Sequence, residues 1–446
     1  MATVYVSKSG NDSKAGESSE PILTLTKGFE MLNASGSGPH ELIIADSGVY
    51  TEGGLGLSPV LSRNNVTITA LTGSDSIPLV APTVRGSGSA IQGRAFYCSN
   101  GWIFRGLTFD KWIISKTNGV IEDRAGSSAP VTIEDCIFTE ITGTCADLSV
   151  GSSDPGLHII QRNKFYNINI PSSSGTNIIE LGASAKKAKI INNVFYDIQF
   201  RHESSRIINA AGTRSPENII SHNTFGTSST EQAGDPDYAI SAKYAKFEYN
   251  IMTGYDNDIS FIDNQAGSSN YNIYFNITGS GDNEPFGGST GPTGSSNNQE
   301  IGISFKGVLV GSSADYRLAG TSEPAFDAAI GSADVTKDFT GISRATLDAS
   351  AFNTGIFDIG AYELTGLWES SNEPDSLPQV GGDFIINRIP NSQNQYKKGL
   401  QDGNSAILGK DVEQIPFTTA INGAIPSFIR KRPNAYVLET GKKTKG

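Results

Sequence analysis

The chain has 446 residues, 37% of them apolar, with 50 glycines and a formal net charge of −12. The charge disfavours nonspecific nucleic-acid binding by the body of the chain. The apolar share is below the roughly 45% usual for soluble domains, and no apolar run approaches the ~20 residues of a membrane-spanning helix, so a thin core wrapped by turns is expected and membrane insertion is not.

Residues 1–65 read as an N-terminal cap with a first coil. Val4-Tyr5-Val6 is strand-like almost from the start, so no secretory leader is expected. Between Pro21 and Leu32 the pattern predicts a short amphipathic helix, with Thr24 as N-cap and Leu25, Phe29 and Leu32 on one face. Such a helix would cover the open end of the first coil. Leu42-Ile43-Ile44-Ala45 and Gly48-Val49-Tyr50 read as that coil.

A solenoid is expected over residues 66–366, because a six-residue phrase returns through residues 104–274. It opens on an apolar residue and closes on an aromatic or large apolar one. The closing residues are Phe109, Phe138, Phe165, Phe195, Phe225, Met252 and Tyr274, at steps of 29, 27, 30, 30, 27 and 22. Such a period means coils that stack and share one core. Two positions before the close stand Asn163, Asn193, Asn223, Asn250 and Asn272. Coils about 4.8 Å apart would stack these amides into a ladder that satisfies buried turn backbone. A second strand recurs at 177–181, 206–210 and 259–263. Short β-rich strands between Gly, Ser and Asn turns specify an all-β chain, not a helical repeat.

Residues 278–300 are rich in Gly, Ser, Asn and Pro and read as a projecting loop. Residues 301–366 read as irregular final coils, with Arg344 and Glu363 as a structural ion pair. From 367 the repeat stops, and 370–382 reads as a linker. From Arg430 onward six Lys or Arg face one Glu, a net +5, so the rest of the chain carries −17 of the −12 total. That asymmetry marks residues 367–446 as a segment with its own partner. Cys98, Cys136 and Cys145 are an odd set without metal-ligand spacing and read as free thiols. No metal and no cofactor are expected.

The coil phrase with its Asn column resembles the right-handed parallel β-helix proteins of the pectate-lyase-like superfamily. So does the opening Val4-Tyr5-Val6-Ser7 with Gly10-Asn11-Asp12, Gly16, Pro21 and Thr24. Asp358-Ile359-Gly360-Ala361-Tyr362-Glu363 looks like the closing motif of many bacterial and phage β-helix proteins. The resemblance implies the fold and leaves function open, because this fold hosts lyases, hydrolases, adhesins and virion spikes. Residues 177–182 resemble a coil of β-helix alginate and chondroitin lyases. The next coil there carries a catalytic Lys, and residues 207–212 hold none.

One phase before the Asn column stand Asp135, Arg162, Asn192, His222 and Tyr249, and the turn after Asp197 holds Arg201, His202, Glu203 and Arg206. If the column faces solvent, Arg162, His222, Tyr249, Arg201 and Glu203 form a glycan-binding groove. The expectation is then a bacteriophage virion protein: a spike, fibre or decoration subunit. It would bind surface polysaccharide, self-associate, with a trimer as one option, and dock on other virion proteins through residues 367–446. The alternatives are a polysaccharide lyase or hydrolase acting on an acidic glycan, and a bacterial adhesin.

Overall fold

The computed structural model describes residues 2–51, 63–73, 78–89, 91–115, 118–123, 129–149, 156–171, 176–181, 187–201, 204–210, 218–226, 229–230, 238–242, 245–255, 260–263, 268–277, 294–296, 299–306, 312, 314–319, 324–325, 329, 338–340, 358–362, 427–432 and 435–440. The chain divides into two units, residues 1–364 and 365–446.

The first unit is a right-handed parallel β-helix with three sheets. The first sheet stacks eleven strands in chain order: Ala2–Val6, His40–Ile44, Val66–Ala70, Ile103–Arg105, Thr132–Glu134, Leu157–Gln161, Lys187–Ile191, Asn218–Ser221, Ala245–Glu248, Ser268–Asn270 and Gly294–Ser296. The second has eleven strands from Val49–Tyr50 to Gln299–Glu300, with Thr224–Phe225 and Ser229–Thr230 both pairing with Val194–Phe200. The third runs from Phe96–Cys98 to Ser260–Asp263 with seven strands. The first sheet begins at residue 2 and crosses residue 65 without interruption, since His40 pairs with Val66 and Ile44 with Ala70. Gly294–Ser296 and Gln299–Glu300 also place the end of the expected projecting loop inside the stack. Residues 278–293 of that loop, and Arg344 and Glu363, lie outside the described residues.

Each coil buries the same columns. Phe109, Phe138, Phe165, Phe195 and Phe225 stack at 4.9, 4.8, 4.7 and 5.0 Å between ring centroids. That spacing is the strand separation itself, so the aromatic column runs parallel to the solenoid axis. Ile133, Ile160, Ile190 and Ile220 form a second fully buried column.

The helix Leu25–Ala34 covers the N-terminal end. Thr24 caps it, its hydroxyl accepting from the Lys27 backbone N–H at 3.1 Å. Asp12 fixes the approach by accepting from the backbone N–H of Leu23 and Thr24 and from the Thr24 hydroxyl. At the other end the Arg63 guanidinium donates to the carbonyls of Leu32, Asn33 and Ser35, groups that a helix terminus leaves without partners. Leu25, Phe29 and Leu32 are buried, and the Phe29 ring lies 5.9 Å from Phe96.

In the second unit, Ser427–Arg432 and Ala435–Thr440 pair as an antiparallel hairpin. The linker at 370–382 lies outside the described residues. No helix among the described residues is long and apolar enough to cross a membrane.

Candidate functional site

The turn between the first and second sheets is two residues long in successive coils. Its first residue has positive φ throughout: Gly106 at 71°, Asp135 at 57°, Arg162 at 55°, Asn192 at 54°, His222 at 55°, Tyr249 at 57° and Tyr271 at 56°. Its second residue is the Asn of the ladder. Asn193 is typical. Its Oδ1 accepts from the backbone N–H and the amide of Asn163, at 2.9 and 3.0 Å. Its Nδ2 donates to the carbonyls of Ile160 and Ile191 and to Asn223 Oδ1. Asn223, Asn250 and Asn272 continue the pattern. Cys136 takes the ladder phase one coil earlier and donates its backbone N–H to Asn163 Oδ1.

Arg162, His222 and Tyr249 are left-handed turn residues, not members of an open stripe. His222 is 0% exposed and Tyr249 7%, with their rings 5.0 Å apart, and His222 Nδ1 meets Ser221 Oγ at 2.7 Å. The Arg162 side chain is 11% exposed and is spent on Asp135 and Glu134, at 2.7 and 3.0 Å. Burial works against ionisation of Glu134, but Arg105, Gln161 and Arg162 outweigh it and hold its carboxyl below the usual range. Arg201 lies beyond the far end of the strand Val194–Phe200 and donates to Gln199 Oε1 at 3.0 Å. His202 and Glu203 lie outside the described residues. Of the five residues, Arg162, His222 and Tyr249 share one turn column, Arg201 stands past the far end of a strand, and Glu203 is outside the described residues.

A different column has the chemistry. In the third sheet the register aligns Tyr97, Glu122, Asp147, Glu180, Asn209, Ser241 and Asp263. Strand alternation sets them on the face opposite Ile121, Ala146, Ile179, Ile208 and Ile240, which are fully buried. Three acidic side chains thus occupy three successive coils: Glu122 and Asp147 are buried, 3% and 7% exposed, and Glu180, Tyr97 and Asn209 are half-buried. Arg94 closes one end: its guanidinium lies 4.0 Å over the Tyr97 ring and 2.8 Å from Glu122. At the other end the Asn209 amide donates to Glu180 at 2.9 Å. Asp147 accepts from the Ser149 backbone N–H at 3.0 Å.

Burial pushes the Glu122 carboxyl up to about 7, with Arg94 opposing and the nearby Asp147 and Asp123 adding to the rise. A carboxyl that keeps its proton near neutrality beside a second carboxyl can donate a hydrogen bond or a proton to a sugar oxygen while its neighbour accepts. The chain needs two residues between the first and second sheets, but residues 124–131, 148–156, 181–186 and 210–217 all connect the third sheet to the first. Long connections on a rigid scaffold are where binding residues concentrate. Among the described residues no group of three or more His, Cys, Asp or Glu is arranged to hold a metal ion.

The sequence carried a trace of this column. Residues 177–181, 206–210 and 259–263 already read as one recurring strand, and the register of the third sheet puts Glu180, Asn209 and Asp263 in one column. Extending that strand backward onto 119–123 and 144–147 would have added Glu122 and Asp147.

No protein-family profile matches the chain. No curated protein is similar to it. Among solved structures it is similar to pectate lyase Pel9A, at 11% identity over 82% of this chain and 97% of that one, with a TM-score of 0.39. It is also similar to the GH136 lacto-N-biosidase from Eubacterium ramulus, at 12% identity over 61% of this chain and 56% of that one, with a TM-score of 0.33. At such identities the likeness is one of fold and says nothing of chemistry.

Proposed function

We propose that the chain is a glycan-binding β-helix of a bacteriophage particle, a spike, fibre or decoration subunit, and that its glycan surface is the outward face of the third sheet. The observation that carries the glycan reading is the column Tyr97, Glu122, Asp147, Glu180 and Asn209, flanked by Arg94. Carboxylates and amides stacked about 4.8 Å apart match the repeating hydroxyls of an extended polymer, and an aromatic ring supplies an apolar platform for a sugar face. With Glu122, Asp147 and Glu180 against Arg94, the face favours neutral or amino-sugar polymers over uronates.

The particle reading draws on two further features. All three cysteines are free and buried, so the body is held without a disulfide framework. The last residues are strongly basic while the body is acidic. Docking on other virion proteins through residues 367–446, and self-association into a trimer or another homo-oligomer, follow as parts of this proposal.

The experiment is a binding panel of neutral, amino-sugar and uronic-acid polysaccharides against the intact protein, with reducing and unsaturated ends followed in parallel. Retention of neutral or amino-sugar polymers without new ends supports the reading. New reducing ends would support the second reading, a glycoside hydrolase, which the protonated Glu122 beside Asp147 favours. Loss of particle attachment on truncation after Gly366, with the β-helix still folded, tests the docking segment.

A further inference from the structure

Arg94 occupies the aromatic end of the third-sheet column. Its guanidinium lies 4.0 Å from the centroid of the Tyr97 ring and 2.8 Å from Glu122. A second nitrogen reaches Asn118 Oδ1 only at 3.5 Å, and the Asn118 amide itself donates to Ser115 Oγ at 2.8 Å. Tyr97 and Glu122 stand side by side in register, and Asp147 follows on the next coil. The three side chains thus offer a ring face, a carboxyl beside it and a second carboxyl about 4.8 Å further along. A cation from the chain itself already sits on the first two.

The seat is held more firmly than its occupant. Ala95 and Phe96 are buried, and the Ala95 N–H donates to the Val120 carbonyl at 2.9 Å. Just before them a Cβ built on Gly93 would meet nothing within 4 Å, so the backbone leading into Arg94 is open on that side. The Arg94 side chain is 27% exposed against 5% for Glu122. An ion pair with water on one side contributes little, and a cation–π contact at such a site adds only modestly to it. A second cation that makes both contacts is therefore able to displace Arg94.

The two contacts describe that cation. It brings N–H donors and positive charge to Glu122, and an apolar face to Tyr97. A hexosamine with a free ammonium does both, its C–H face lying on the ring. An uncharged sugar lacks the first contact, and a uronate brings the wrong sign beside Glu122 and Asp147. Arg94 opposes the upward push of burial on the Glu122 carboxyl, and an ammonium in its place acts in the same direction.

We propose that Tyr97, Glu122 and Asp147 form a subsite for an amino-sugar unit with a free ammonium, and that Arg94 is its internal competitor. The proposal rests on the glycan reading of the third sheet.

Calorimetric titration of the full chain tests it, with a glucosamine oligosaccharide, its N-acetylated counterpart and a neutral polysaccharide as control. The proteins are the wild type, Arg94→Met, Arg94→Lys and Glu122→Gln, each shown to be folded by thermal melting. Arg94→Met should bind the glucosamine oligosaccharide about tenfold more tightly than the wild type, and Arg94→Lys should stay close to the wild type. Glu122→Gln should bind it more weakly. The N-acetylated oligosaccharide has lost the charge and should gain less from Arg94→Met. Wild-type affinity of Arg94→Met for the glucosamine oligosaccharide, or an equal gain for both oligosaccharides, overturns the proposal alone if the control still binds. If no saccharide binds any of the proteins, the glycan reading falls and the proposal with it.

Discussion

Asn223 Oδ1 accepts two hydrogen bonds from Asn193, one from its backbone N–H at 2.9 Å and one from its side-chain amide at 3.0 Å. One side chain in each coil thus closes the turn of the coil before it. Replacing Asn193 with Leu leaves the Asn163 backbone N–H and the Ile160 carbonyl without these partners in a dry interior. The expected loss is about 1–3 kcal/mol, read from chemical denaturation. An unchanged denaturation midpoint would show that the turn does not depend on its amide.

The first turn residue bears a different constraint. Asn192 has φ of 54° and is 2% exposed. Asn tolerates that region and a β-branched residue does not. Asn192→Val should destabilise by about 1–2 kcal/mol, while Asn192→Gly should stay within about 1 kcal/mol of the wild type. Thermal melts of both variants check the contrast.

Glu122 makes a pH prediction. The folded carboxyl keeps its proton up to about 7, against an ordinary value of 4.5. Between those values the unfolded chain is ionised at this residue and the folded chain is not, so folding takes up a proton. Stability from this group falls as pH rises from about 4.5 to about 7 and is level above. Glu122→Gln mimics the protonated form and removes that slope. The variant should gain on the wild type across the window, by about 1–3 kcal/mol at pH 8. Parallel stability curves for the two proteins from pH 4 to 8 would contradict it.

The parts of the molecule that were readable from sequence are those that demand the same residue type in every coil. The inward aromatic of each coil must fill one cross-section, so Phe109 through Phe225 recur unchanged. The buried turn amide has a geometry that Asn meets, and Cys136 stands in for it one coil earlier. The cap was readable because Thr24 and the spacing of Leu25, Phe29 and Leu32 act locally. The phase before the Asn misled, because its polar residues suggested solvent. The common property of Gly106, Asp135, Asn192 and His222 is positive φ, and burial there is set by neighbouring coils. The third-sheet column was obscured because its members share polarity but not type.

In the proposed function, glycan binds the third sheet and not the turn column. Titration of a retained polysaccharide against Tyr97→Ala, Asp147→Asn, Arg162→Ala and His222→Ala, each shown to be folded, separates the two surfaces. The account predicts at least tenfold weaker binding for the Tyr97 and Asp147 variants and wild-type affinity for the Arg162 and His222 variants. Wild-type affinity in the first pair with loss in the second would contradict it.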